Sequence, residues 1–407
     1  MNADDVVVTG LGLISPAGIG VADNWKGVLS GRSAAASDPE LAGLPVDFSC
    51  RVPGFDITDH LDRRVAFKLD RATQLAVVAA REAVADAGLD PRSWDGARVA
   101  VVLGTSMGGV GSMEREHAKM LQEGHSWVSP LVWVMSPVNM IPAAVAMDLG
   151  ARGPNLCAAT ACASGPTAVG TARQLLRAGM CDIAIAGAAD APLTRMTMAG
   201  LAQMGALSTR ADDIAAASRP FDRHRDGMVV AEAAGVLVLE RSADAGARGA
   251  RVRAKVAGYG ATCDAHHLSA PDPSGRAVEA ALRQALTDAD LSPQDIDHVN
   301  AHGSSTPLND VTEARVVRRV LGDRALVTST KGVTGHALGA AGAIEAAYTV
   351  LALQEDTVPP TANLDALDEE VELDVVAKEP RTAPLRAAVT NSFGFGGQNG
   401  VLVLTAP

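Results

Sequence analysis

Aromatic side chains are scarce: six Phe, four Trp and two Tyr in 407 residues. A core built without them must close on small side chains, so tight packing from alanine and glycine is expected. Positive charge is also short, with 35 Lys and Arg against 47 Asp and Glu and a formal charge of −12. No basic stripe exists to neutralise phosphates, which argues against nucleic acid. An acidic partner would have to find a local basic patch instead of a global field. Uncharged apolar runs of membrane length are missing, as is a basic segment ahead of an apolar leader. The expectation is a soluble cytoplasmic protein with no membrane association. Five cysteines (Cys50, Cys157, Cys162, Cys181 and Cys263) are odd in number. They follow neither a metal-ligand spacing nor a disulfide framework, which fits a reducing compartment.

Apolar residues make up 47% and charged residues 20%, ordinary for a globular enzyme, and the length suits two core-sized units or one unit duplicated. Asp5 to Gly10 predicts a buried strand, followed by the turn-rich GLGLISPAGIG. A strand and then glycines raises dinucleotide binding. The spacing is not G-x-G-x-x-G, however, and no acidic residue stands about 20 positions on, so a tight turn is the simpler reading. Residues 34–60 read as loop. A helix is signalled over 71–88 and stopped by Gly88. It is followed by LDPRSWDGA, the strand ARVAVVLG and the small turn TSMGGVG. The same grammar returns two hundred residues later: the helix GRAVEAALRQALTDAD, the breaker LSPQDI, the strand DHVNAH and the turn GSSTP. VVVTGLG at residue 6 also matches VRAKVAGYG at residue 252. This is an internal duplication, expected to divide the chain into halves 1–250 and 251–407. Strands alternating with helices predict an α/β fold with mixed, mainly parallel sheets. Two stacked halves would bring equivalent helix starts face to face at a pseudo-twofold axis.

The chemistry is read from four stretches. LCAATACASG (156 to 165) ends an apolar run at Cys162 and opens an alanine-rich helix, with Pro166 in its first turn. The positive end of a helix dipole favours the thiolate, so the Cys162 pKa is expected below the free value of roughly 8.5. Small neighbours leave room for a substrate carbonyl, as a strand-to-helix nucleophile needs. VNAHGSSTP places His302 where a strand ends. STKGVTGHALGAAG places Lys331 and His336 at a glycine-rich helix start, with Glu345 further along. NSFGFGGQN is a glycine-dense turn between strands, able to aim N–H groups at an oxyanion. Singly, each has a plainer explanation: a buried small hydrophobe, a structural histidine, an ion pair, a hairpin loop. At equivalent places in two duplicated halves, the plain explanations fail together.

These motifs, with RPFDRHRDG (219 to 227), resemble the β-ketoacyl-acyl carrier protein synthases of the thiolase superfamily, in the Cys-His-His elongating type. The resemblance runs from VVVTGLGLISPAG to SFGFGGQNGVLVL. It implies a five-layered αβαβα fold, normally dimeric, with no metal and no organic cofactor. It also implies roles residue by residue: Cys162 as nucleophile, His302 and His336 as the active-site pair, and Lys331 and Glu345 in support. Phe395 matches the gating loop, its N–H joining that of Cys162 in the oxyanion hole. Met107 matches the position that limits the acyl chain, and Thr306 and Phe393 fall among the substrate-binding positions. The activity implied is acyl transfer from a carrier protein to Cys162, decarboxylation of the malonyl carrier and condensation.

A thiolase of the degradative kind needs a second cysteine near the C-terminus, and none follows Cys263. The priming type of ketosynthase carries His and Asn where this chain has two histidines. A non-catalytic chain-length factor typically lacks the nucleophile. Fatty-acid elongation and a type II polyketide role stay open. NSFGFGGQN and STKGVTGH look like the former, while MVVAEAAG (228 to 235) departs from it and Asn309-Asp310 fits the latter. Arg63, Arg64, Lys68 and Arg71 form a candidate docking cluster for an acidic carrier, whereas HSWVSP (125 to 130) is without Lys or Arg. The partner would be an acyl carrier protein, with a homodimer or a chain-length-factor heterodimer as the assembly. Asp222, Arg225 and Asp226 read as a buried charge network holding a loop. Asp264, His266 and His267 lie in a stretch that, by the resemblance, lines the entrance, and a surface turn explains them equally well.

Overall fold

The computed structural model describes residues 2–407. Ten strands of a twelve-stranded sheet fall into two sets of five. The first set is β1 (Val6–Ser15), β2 (Val99–Gly104), β3 (Asn155–Ala158), β4 (Ile183–Asp190) and β5 (Ala233–Arg241). The second is β6 (Ala254–Cys263), β7 (His298–Asn300), β8 (Leu326–Thr328), β9 (Ala387–Gly394) and β10 (Gln398–Thr405). In space the first set runs β3-β2-β4-β5-β1 and the second β8-β7-β9-β10-β6. In each, the outer three strands are parallel and the next two pairings antiparallel. The sets meet where Val7 and Val8 of β1 pair with Lys255 and Ala254 of β6. Identical pairing in both sets is what a duplicated sequence dictates.

Six helices complete the layers: α1 (Arg71–Asp86), α2 (Met140–Leu149), α3 (Ser164–Arg177), α4 (Arg276–Asp288), α5 (Pro307–Leu321) and α6 (Ala341–Glu355). α1 and α2 cover the outside of the first set, and α4 and α5 that of the second. α3 and α6 lie between the sets and touch both, which gives the αβαβα order. Position explains composition. α6 is buried from Ala341 to Leu353, so it is apolar all round, whereas α4 shows the one-sided pattern of an outer helix. At the centre, a Cβ on Gly165 of α3 would lie 2.4 Å from the Ala343 nitrogen of α6. The two helix starts do meet face to face.

The GLG segment corrects one expectation. It is no turn: β1 continues to Ser15, with an irregularity between Val8 and Gly10. A Cβ on Gly10 or Gly12 would fall 2.1 Å from the Ala83 carbonyl oxygen or 1.9 Å from that of Ala79. Helix α1 presses its backbone onto the strand, and only glycine allows that approach.

Candidate active site

β3 ends at Ala158, and the chain reverses into α3 through Thr160 and the single turn Ala161–Ala163. Ser164 shapes the turn. Its hydroxyl accepts from the Thr160 N–H (2.9 Å) and donates to the Ala161 carbonyl (2.7 Å). Ala161 has φ +48°, a left-handed conformation that costs of order 1 kcal/mol and clusters at functional turns. The turn delivers Cys162, 6% exposed, to the foot of a cavity. The glycine-dense turn after β9 lies directly on it: a Cβ on Gly394 would sit 2.9 Å from the Thr160 carbonyl oxygen and 3.0 Å from the Cys162 nitrogen. The N–H groups of Phe395 and of Cys162 itself are both directed at the sulfur.

The protonation state differs from the expectation. Burial pushes the Cys162 thiol up to about 11, against the pull of the Lys331 charge and the two N–H groups. The helix start is real, but the sulfur is so thoroughly enclosed that desolvation outweighs it.

His302 follows β7, and His336 follows the short helix Lys331–Thr334 after β8. The backbone fixes both. Glu313 of α5 accepts from the N–H groups of His302 (2.8 Å) and Gly303 (2.7 Å) and from the Asn391 amide (3.0 Å). The His336 N–H donates to the Val229 carbonyl (2.7 Å). Burial first, and then the Lys331 charge, hold both imidazoles well below the usual 6.5, so both are neutral. Lys331 itself is buried in an ion pair with Glu345. Burial lifts Glu345 to about 7 and Glu313 likewise.

A cavity of about 400 Å³ opens above the sulfur, and Cys162, His302, Thr306, His336, Phe393 and Phe395 all line it. Lys331 and Glu345 stand behind the wall. Met107 lies outside it, in the turn after β2, with its sulfur 3.9 Å from the Thr197 hydroxyl. Arg63, Arg64 and Lys68 are exposed on and just after the short helix Arg63–Ala66. Arg71 does not belong with them. Its guanidinium pairs with buried Glu232 (2.8 Å) and donates to the Phe55 carbonyl (3.1 Å), so the charge is already spoken for.

Sequence reasoning missed several wall residues: Met204, Met228, Leu308 and Asn399. Met228 opens the MVVAEAAG segment, whose departure was the one available signal. Asp264 also reaches the cavity, accepting from the Asn399 amide (2.7 Å). The RPFDRHRDG charges form the expected network at Asp222 and Arg225, whereas Asp226 is exposed and stands outside it, held by Ser208 and Thr209. Arg219 pairs with Asp222 (3.1 Å), Arg225 with Asp368 (2.6 Å) and Asp310 (3.5 Å), and Asp226 accepts from the Ser208 hydroxyl (2.6 Å).

Comparison with known proteins agrees across the whole chain. Residues 3–245 match the family described as Beta-ketoacyl synthase, N-terminal domain, and residues 253–365 the corresponding C-terminal domain. A 3-oxoacyl-[acyl-carrier-protein] synthase 2 from Synechocystis sp. is 43% identical over 401 residues, covering 97% of this chain and 96% of the relative. The ishigamide ketosynthase/chain length factor superposes with a TM-score of 0.92 at 35% identity over 99% of both chains. A type II PKS ketosynthase, solved with its acyl-carrier protein and bound to the hexaketide, superposes equally well at 32% identity over the full length of both. The family's N-terminal domain thus spans Cys162 and its C-terminal domain spans His302 and His336, and the chain belongs to the beta-ketoacyl synthase family.

Proposed function

We propose that this chain is a decarboxylative condensing enzyme that extends a carrier-bound acyl group by two carbons. The observation that carries the reading is the pair of N–H groups, from Phe395 and Cys162, converging on a buried thiol beside two neutral imidazoles. The sulfur attacks the acyl-carrier thioester, and the oxyanion forms beside the sulfur, within reach of the same two N–H groups. Collapse expels the carrier thiol, which leaves with the proton given up by Cys162. A malonyl carrier then enters the cavity. Loss of CO2 leaves its electron pair on carbon, so no base is required. His302 and His336, being neutral, donate hydrogen bonds to the enolate oxygen. The enolate attacks the acyl-Cys162 carbonyl, forms the new C–C bond and breaks the C–S bond; the released Cys162 thiolate takes a proton from water, which restores the thiol. Lys331 supports this by adding its charge to the burial that keeps both rings unprotonated. The two halves, 1–250 and 251–407, contribute the nucleophile and the histidines respectively, and neither is a site alone.

A second reading makes the chain the catalytic subunit of a type II polyketide pair, working with a chain-length-factor partner. Its support is the likeness to the ishigamide ketosynthase/chain length factor and the open edge of β3, where Leu156 is exposed next to exposed Val138 and Met147. A second copy would fit that edge as well. A cytoplasmic location is part of the proposal, resting on five unpaired cysteines; no helix among the described residues is long and apolar enough to cross a membrane.

The deciding experiment is mass spectrometry of carrier-bound products after mixing protein, acyl carrier and malonyl carrier. A β-ketoacyl product two carbons longer, absent in Cys162→Ala, is expected. Acylated Cys162 without product points to the missing partner of the second reading. No acylation from any carrier overturns both.

A further inference from the structure

Asp190 closes β4 as a fully buried carboxylate without an ion-pair partner. Five donors satisfy it. Oδ1 accepts from the Thr105 hydroxyl (2.5 Å) and the Met107 N–H (3.3 Å). Oδ2 accepts from the Ser106 N–H (2.9 Å), the Ser106 hydroxyl (2.6 Å) and the Gly339 N–H (2.7 Å). Four of these come from the turn that carries Met107. The fifth comes from the other half of the chain, three residues after His336 and at the approach to α6. The fit has no slack: a Cβ on Gly339 would lie 2.6 Å from both Asp190 Oδ2 and the Ser106 nitrogen. The same turn touches the nucleophile, since the Ser164 hydroxyl reaches the Thr105 carbonyl (3.3 Å). The carboxylate is near enough to Cys162 for its charge to favour the thiol form.

The open cavity reaches Cys162 without including Met107 in its wall. An acyl chain too long for that cavity needs space beyond the sulfur, where the Met107 turn stands. We propose that Asp190 is a positioning residue for acyl-chain selection, tying the Met107 turn to the Gly339 turn so that Met107 sets a fixed depth for the acyl group on Cys162. The proposal rests on the condensing-enzyme reading and on Met107 as the limit. Asn at 190 turns an amide N–H2 toward some of the same donors, so part of the tie is lost while shape is kept.

The test measures kcat/KM for a series of acyl carriers from short to long, with the malonyl carrier varied separately. Wild type, Asp190→Asn, Ser106→Ala, Met107→Ala and Met107→Ala/Asp190→Asn are compared, each checked for its melting transition. Asp190→Asn is expected to shift the long-to-short ratio at least ~fivefold with the malonyl KM unchanged, and Ser106→Ala to shift it in the same direction. In the Met107→Ala background, Asp190→Asn should add nothing to the ratio, because both act through one side chain. Should Asp190→Asn fail to fold, Ser106→Ala carries the test alone. An unchanged ratio in folded Ser106→Ala and Asp190→Asn, with Met107→Ala shifting it, overturns the proposal and leaves the functional reading intact. An unchanged ratio in Met107→Ala removes Met107 as the limit and the proposal with it, while inactivity toward every carrier sinks the functional reading as well.

Discussion

The rings of His302 and His336 meet edge to face, with centroids 5.2 Å apart and planes at 80°. Burial depresses both, and one ammonium, that of Lys331, adds to it. Two imidazoles this close would repel each other if protonated, and in the neutral pair each ring still keeps one N–H to donate to an enolate oxygen.

The first prediction concerns the acid side of the pH profile. A histidine whose folded pKa is depressed stays neutral above that value. CO2 release from malonyl carrier should therefore show no loss of rate near the usual imidazole value of 6.5. Lys331→Met removes the smaller of the two depressing causes and leaves burial in place, so both pKa values rise part of the way and any acid limb should move to higher pH. The same variant strands buried Glu345 and should cost roughly 3–5 kcal/mol in denaturant unfolding. A profile identical to wild type would show that Lys331 does not tune the histidines.

The Cys162 thiol titrates at about 11, so the thiolate fraction is small at neutral pH. Alkylation by iodoacetamide should accelerate roughly tenfold per pH unit between about 7 and 10. A plateau close to neutrality would mean that the helix start and the N–H groups outweigh burial after all.

Gly394 keeps the Phe395 N–H on the sulfur by lying against Thr160 and Cys162. In Gly394→Ala the new methyl group pushes the turn away. Acylation should fall ~10²–10³-fold, the loss that follows removal of one oxyanion donor. The melting temperature should change little by comparison, since the displaced turn borders the cavity; burst acylation and calorimetry measure the two.

Arg71 and its neighbours should separate cleanly. Arg71→Ala leaves Glu232 buried and unpaired, and is expected to lower stability by roughly 3 kcal/mol with little change in carrier KM. Reversing Arg63, Arg64 and Lys68 together to Glu should instead raise carrier KM several-fold at low salt, with the effect fading as ionic strength rises. Equal carrier KM in the triple variant and wild type at low salt would place docking elsewhere.

Much of the site was legible because its signals are local. Turn chemistry around Cys162, a strand-end histidine and a glycine-dense hairpin are each written within ten residues. The duplicated order of helix, breaker, strand and turn gives a two-fold repeated α/β scaffold, and the family resemblance supplies its five layers. The misreadings share one cause. Gly10 and Gly12 look like turn residues until α1 is seen packed on them. Arg71 looks like a free surface charge until Glu232, 161 residues away, reaches it. Asp190, Glu313 and Met204 of the cavity wall carry no local signature.

By itself, then, the amino-acid order determined which side chains are chemically competent here: one thiol at a helix start, two histidines, a lysine and a glutamate at fixed spacing, on a scaffold repeated twice. Covalent spacing and backbone propensity are short-range, so a string of residues records them. The state of those groups was decided only by tertiary structure. Enclosure raised the thiol and lowered the histidines, a remote carboxylate claimed Arg71, and Asp190 joined turns from both halves. Desolvation and long-range pairing depend on what lies across the fold, and that comes into being only when the two halves close on each other.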